Sequence, residues 1–188
     1  MKKILIVIDM QNDFIDGPLG SDAARKIVPK VIEKIESWDG DLILTKDFHT
    51  EDYLYSNEGR HLPIPHCIEN TAGYKINPYV KEAAWKFADN NRDLRMRFRH
   101  KFTFGDYEMP NIIEEKPERI EIIGLDTDVC IISNALILKA KYPEADIVVD
   151  ASCCAGTTKE LHEAALKVMK SCQIEIENWS EDGEKERK

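Results

Sequence analysis

Cys130 closes the run Gly124-Leu125-Asp126-Thr127-Asp128-Val129, between an apolar segment and one of helical spacing. With Thr127 or Asp128 as the cap of that helix, Cys130 falls in its first turn. A helix N-terminus carries roughly half a positive charge and several unpaired N–H groups, and both favour a thiolate. The same N–H groups can hold the oxyanion of a tetrahedral intermediate. The bland alternative is a thiol packed into the core. Asp9 ends the apolar run Ile4-Leu5-Ile6-Val7-Ile8. A carboxylate directly after a buried strand is poorly solvated, which suits a general base, although it also suits a loop cap. Lys101 follows another strand-like segment. An ammonium placed between Asp9 and Cys130 would stabilise both anions; its alternative is an ordinary surface lysine.

A second set of residues suits a metal. In Asp47-Phe48-His49 the two polar side chains point the same way if the segment is extended. Glu58 and His66 follow in the same irregular stretch, with His61 as a competitor for the ligand role. Carboxylates and imidazoles in this number suit zinc, iron or manganese. The alternative is a loop held by hydrogen bonds.

Positioning these groups requires a regular frame. Lys3–Ile8, Asp41–Lys46, Leu94–Phe98, Arg119–Gly124, Ala145–Asp150 and Gln173–Glu177 read as strands. Ala23–Trp38, Pro78–Ala88, Asp128–Tyr142 and Thr158–Cys172 read as helices, with Pro29 expected to kink or delay the first and Thr158 to cap the last. Residues 47–74 read as a long functional loop. Strands alternating with helices imply an α/β three-layer sandwich: a mostly parallel sheet with helices on both faces. Ligands of such sheets bind outside the carboxyl ends of the strands. Asp9, Asp47, His49, His100, Lys101, Cys130, Asp150, Ser152, Cys153 and Cys154 all follow strands in this reading, so they are expected at one rim.

The chain has 188 residues, 43% of them apolar, which suffices for one domain with its own core. That domain is expected over residues 1–180, followed by a charged, frayed tail from Glu181 to Lys188. A net charge of −9 disfavours nucleic acid and anionic membranes as partners and favours a small neutral or cationic ligand. No apolar run reaches the roughly 20 residues that span a bilayer, and the N-terminal run is too short for a signal peptide. Five irregularly spaced cysteines fit the reducing cytoplasm better than a disulfide framework.

Several motifs are similar to those of the isochorismatase-like cysteine hydrolases, and within them the nicotinamidases. Ile8-Asp9-Met10-Gln11-Asn12-Asp13-Phe14 resembles the family's N-terminal motif, and Lys101-Phe102-Thr103-Phe104-Gly105 the segment of its lysine. Gly124 to Cys130 resembles the nucleophile segment. Thr45-Lys46-Asp47-Phe48-His49 and the stretch from Glu58 through Leu62-Pro63 to His66-Cys67 resemble the nicotinamidase metal loop. The resemblance implies an isochorismatase-like, Rossmann-like fold. It implies Asp9, Lys101 and Cys130 as catalytic residues and Asp47, His49, Glu58 and His66 as ligands of one divalent ion, zinc before iron or manganese. It also implies a non-proline cis peptide from Leu125 to Asp126 and an oxyanion held by the N–H groups of Asp126 and Cys130. The implied activity is hydrolysis of a small amide, nicotinamide to nicotinate and ammonia, through a thioester, with a place in NAD salvage and a homo-oligomeric state. Phe14, Tyr55 and Phe104 are candidate pocket walls.

Two features depart from the family pattern. Asp126 stands where relatives often carry a small or apolar residue, and a carboxylate there opposes an oxyanion unless it points away or meets a cation. Arg95, Arg97 and Arg99 alternate with apolar residues, which reads as a solvated or subunit-facing edge strand, or else as attraction for an acidic substrate. The competing functions are hydrolysis of another small amide, carbamoyl compound or vinyl ether, and a non-catalytic small-molecule or metal-binding module.

Overall fold

The apolar run Lys3–Ile8 forms strand β1, buried almost throughout, as a strand covered on both faces must be. The structure, a computed structural model, describes residues 2–180; the tail from Glu181 to Lys188 lies outside them. The other strands are β2 (Asp41–Asp47), β3 (Met96–Lys101), β4 (Arg119–Leu125), β5 (Asp146–Ala155) and β6 (Glu175–Glu177). They form one sheet in the order β3-β2-β1-β4-β5-β6, with every neighbouring pair parallel. The helices are α1 (Asn12–Ile15), α2 (Asp22–Glu36), α3 (Asn57–His61), α4 (Pro78–Asn90), α5 (Ile132–Lys141) and α6 (Lys159–Ser171). α2 packs on α4, and α5 on α6. The chain steps outward from β1 through β2 to β3, and in the opposite direction from β4 through β5 to β6. Right-handed crossovers therefore put the two helix pairs on opposite faces. This is the doubly wound α/β arrangement, and its direction reverses between β1 and β4.

Local chemistry explains most element ends. Ser21 caps α2 by accepting a hydrogen bond from Ala24 N at 3.0 Å, and Thr158 caps α6 by accepting one from Leu161 N at 3.1 Å. α2 runs straight through Pro29, because the buried stripe Ala24, Ile27, Val31 and Ile35 anchors both sides of it. Gly124 has φ +121°, and a Cβ there would fall onto the Ile8 carbonyl oxygen, so β1 and β4 meet closely at this level.

Four expectations need correction. β3 starts two residues later than its apolar pattern suggested and ends at Lys101, which makes His100 and Lys101 strand residues. β5 continues to Ala155 through a register shift opposite Ile122 and Gly124. Asp150, Ser152, Cys153 and Cys154 thus lie within that strand, and Asp150 pairs with Lys34 of α2 at 2.8 Å. Residues 47–74 hold a 3₁₀ turn (Tyr53–Tyr55) and α3, capped by Ser56. Residues before α5 form a π-helical turn, Thr127–Ile131, in place of a regular first turn. On the edge strand, Arg95 and Arg97 pair with Glu114, and Arg99 with Asp106, so this basic face is neutralised within the chain.

Candidate active site

β1 and β4 diverge at the reversal point, and the three expected catalytic side chains meet there. Asp9 leaves the end of β1 with a left-handed φ of 49°. Lys101 closes β3, two positions from β1 in the sheet, and its side chain is wholly buried. Lys101 Nζ lies 2.6 Å from Asp9 Oδ2, 3.1 Å from Asp47 Oδ1 and 3.4 Å from Cys130 Sγ. Asp9 Oδ1 accepts from Thr45 Oγ1 at 2.7 Å, while Oδ2, though beside the ammonium, takes no aligned hydrogen bond. Oδ2 thus shares with Cys130 Sγ the ammonium of Lys101.

Burial sets the charges. It raises the Asp9 carboxyl, with Lys101 opposing and Asp47 adding to the rise. Burial pushes the Cys130 thiol well above its usual range; Lys101 pulls it down, and the charges of Asp9 and Asp47 push it further up. Burial also opposes the Lys101 charge, but Asp9, Cys130 and Asp47 outweigh it and hold the ammonium well above its ordinary value. The resting arrangement is therefore a protonated thiol, a buried ammonium and a carboxyl that gains from the ammonium.

The peptide bond from Leu125 to Asp126 is cis. Cys130 sits in the π-helical turn that begins one residue later, and neither expected cap is used. Thr127 Oγ1 instead meets His162 Nδ1 at 2.8 Å, and Asp128 accepts from Thr157 N at 2.8 Å. π-helical turns of this kind recur at functional sites.

The second cluster adjoins the first. Asp47, His49 and His66 offer ligand atoms that all lie within 4.8 Å of one another. Glu58 Oε1 borders them, 3.5 Å from His49 Nε2 and 3.8 Å from His66 Nε2. His66 Nδ1 contacts the Ile64 carbonyl at 2.8 Å; donating there leaves Nε2 a lone pair. His49 Nε2 is buried with no aligned hydrogen bond, although Asp47 Oδ2 is 2.8 Å away. Two imidazole nitrogens and two carboxylates thus converge on one point, and this donor set fits a divalent cation. Burial acts to raise Asp47, but hydrogen bonds from both imidazoles and the charge of Lys101 win and hold it below the usual carboxylate range. His61 is exposed and bonds the Asn57 carbonyl, outside the cluster.

Both clusters face one cavity of about 420 Å³, lined by Phe14, Leu19, Asp47, Glu58, Leu62, His66, Phe104, Asp126 and Cys130 among others. Phe14 and Phe104 line this cavity. Tyr55 does not: it lies outside the cavity, 84% exposed, on the far side of its 3₁₀ turn. Asp126 lines the cavity, and burial followed by Asp128 and Asp9 raises its carboxyl to about 7.

Other side chains hold this geometry without having been singled out in the sequence. Buried Gln11 donates to the carbonyls of Asp47 and Tyr74, each at 2.9 Å, and accepts from Asp47 N at 2.7 Å, tying the end of β1 to the metal-loop entrance. Asp13 accepts from Cys67 N at 2.8 Å. Asn134 donates to the carbonyls of Cys130 and Phe104 and accepts from Asp106 N. Gln11 and Asp13 lie in the N-terminal motif itself; Asn134 carries no sequence signal beyond a polar residue four positions after Cys130.

Comparison with known proteins agrees with this geometry. The isochorismatase domain profile matches residues 3–181. The nicotinamidase/pyrazinamidase of Mycobacterium tuberculosis is 24% identical over 93% of this chain and 97% of its own. An uncharacterized isochorismatase family protein of Bacillus subtilis is 27% identical over 88% of this chain and 93% of its own. Among solved structures, the Bacillus subtilis nicotinamidase/pyrazinamidase superposes with a TM-score of 0.80 at 24% identity, over 94% of this chain and all of that one. The Pyrococcus horikoshii pyrazinamidase, solved in complex with zinc, gives 0.74 at 26% identity, over 95% of this chain and 100% of that one. The chain belongs to the isochorismatase family of hydrolases.

Proposed function

We propose that this protein is a cysteine amidohydrolase that converts nicotinamide to nicotinate and ammonia through a thioester on Cys130. The observation that carries the reading is Lys101 Nζ lying 2.6 Å from Asp9 Oδ2 and 3.4 Å from Cys130 Sγ, at a cavity that the acid–imidazole cluster also lines. Asp9 takes the thiol proton, and Lys101 balances the charge as it moves from carboxylate to sulfur. The thiolate adds to the amide carbon, and the N–H groups of Asp126 and Cys130 hold the oxyanion. Asp9 returns its proton to the leaving nitrogen, the C–N bond breaks, and ammonia departs. Asp9 then takes a proton from water as the water oxygen adds to the thioester. The C–S bond breaks, and that proton goes to the sulfur. Asp47, His49, Glu58 and His66 would hold a divalent ion, zinc in this reading, which supplies a Lewis-acidic anchor for a substrate heteroatom such as a pyridine nitrogen. Five unpaired thiols support a cytoplasmic setting, and the relatives' activity supports a role in NAD salvage.

A second reading, hydrolysis of another small amide or carbamoyl compound, is favoured by one observation, the carboxyl of Asp126 in the cavity. Ammonia release from nicotinamide and a panel of small amides, with and without chelator, tests both. Cys130→Ala abolishes release while retaining metal and ligand binding; turnover at the parent rate in that variant would remove the thioester scheme.

A further inference from the structure

Asp126 is the one ionisable side chain lining the Cys130 cavity that takes no hydrogen bond or ion pair from the protein, among the described residues. The other polar groups around it are committed elsewhere. Asp128 directs its oxygens to Thr157 N and Oγ1. Lys101 is held among Asp9, Asp47 and Cys130, and His66 faces Asp47 and Glu58. Repulsion from Asp128 and Asp9 outweighs the more weakly felt charges of His66 and Lys101, and neither cation pairs with the Asp126 carboxyl. A half-buried carboxyl with no protein partner is costly to ionise, and a ligand in the cavity that meets it removes that cost. The cost recurs in catalysis: an anionic Asp126 opposes both the thiolate and the oxyanion that form beside it.

We infer that Asp126 sets substrate choice: the amide carries an N–H donor or a positive charge that meets the Asp126 carboxyl while its carbonyl carbon lies on Cys130. This rests on the amidase reading given above. A cationic substituent removes the opposition of Asp126 at the moment negative charge develops, so it raises kcat as well as lowering KM. The chain's net charge of −9 is of the sign that draws such a ligand in.

The test uses pairs of primary amides that differ only by amino against methyl. These are nicotinamides substituted at each ring carbon, glycinamide against propionamide, and β-alaninamide against butyramide. In at least one pair the parent protein favours the amino compound in kcat/KM by about tenfold or more, and in Asp126→Ala and Asp126→Asn that ratio falls to near one. The same pairs are titrated by calorimetry against Cys130→Ala and against the Cys130→Ala, Asp126→Ala double variant, where the preference in Kd is present and then absent. No amino preference in any pair, or a preference that survives loss of the Asp126 carboxyl, overturns the inference. Turnover without preference removes the inference and leaves the amidase reading. An Asp126-dependent preference in binding without turnover does the reverse. Neither turnover nor binding of any pair member removes both.

Discussion

Lys101 and Asp9 form an ion pair of 2.6 Å with both side chains wholly withdrawn from solvent. One strand, β2, separates their backbones in the sheet, so the contact exists only because the fold closes over it. Desolvating two charges costs several kcal/mol, and removing one partner leaves that cost on the other. Lys101→Met is therefore expected to lower unfolding free energy by about 3 kcal/mol near pH 8. The loss shrinks at pH 5, where Asp9 can take a proton in place of its partner. Denaturant titration at the two pH values checks this, and adding Asp9→Asn should restore part of the stability without restoring amidase activity.

Removing a metal ligand should separate binding from chemistry. His49→Ala takes one imidazole from the cluster and is expected to weaken zinc affinity by more than the roughly 10–100-fold typical of an outer-shell loss. Metal content by mass spectrometry falls and KM rises. Chelation of the parent protein should mimic the variant, and added zinc should reverse the chelation only.

Asp126 gives a pH signature in stability. Its folded pKa of about 7 lies above the ordinary carboxylate value, so the folded chain binds the proton more tightly than the unfolded one. Stability falls as pH rises from about 4 to 7 and stays lower above that range. Asp126→Asn lacks this loss. In metal-stripped protein it should be more stable than the parent by on the order of 2–4 kcal/mol at pH 8, and equal to it near pH 4. Thermal melts across that range decide the matter.

Lys34 stands between Glu121 Oε1 at 2.6 Å and Asp150 Oδ2 at 2.8 Å, on two nearly inaccessible carboxylates. Burial disfavours the ammonium, yet the two acids outweigh it and raise its pKa, while Lys34, Asn178 and Ser152 overcome burial and lower Asp150. The depressed Asp150 contributes stability above the unfolded pKa of about 3.9, lost as pH falls through the folded value; the raised Lys34 contributes below about 10.4, lost as pH rises through the folded value. Lys34→Met is expected to cost about 3 kcal/mol at neutral pH and to abolish the alkaline limb of the stability profile.

Sequence and structure agree where a residue's role follows from its place after a strand. Asp9 and Cys130 follow β1 and β4, and the apolar pattern of those strands is strong enough to locate their ends. Lys101 ends β3 instead of following it, because edge strands with alternating Arg residues carry a weak burial pattern that marks their ends poorly. Asp150, Cys153 and Cys154 were misplaced for a different reason: nothing in the local composition marks a register shift, which depends on the partner strand. The metal-loop residues were legible as types, but not which histidine joins them; the turn of α3 points His61 outward. Gln11 and Asn134 escaped because a buried amide that bonds backbone looks no different in sequence from one that meets solvent. Tyr55 was an aromatic at the right place in the chain and the wrong side of its turn.

At Gly124 the two central strands touch through bare main chain. Any heavier residue would act as a wedge just below the level at which acid and sulfur face each other. The spacing of the two main chains that carry them is thus set by backbone thickness at this level. A library that varies every side chain around the cavity and keeps Gly124 would still inherit that main-chain spacing.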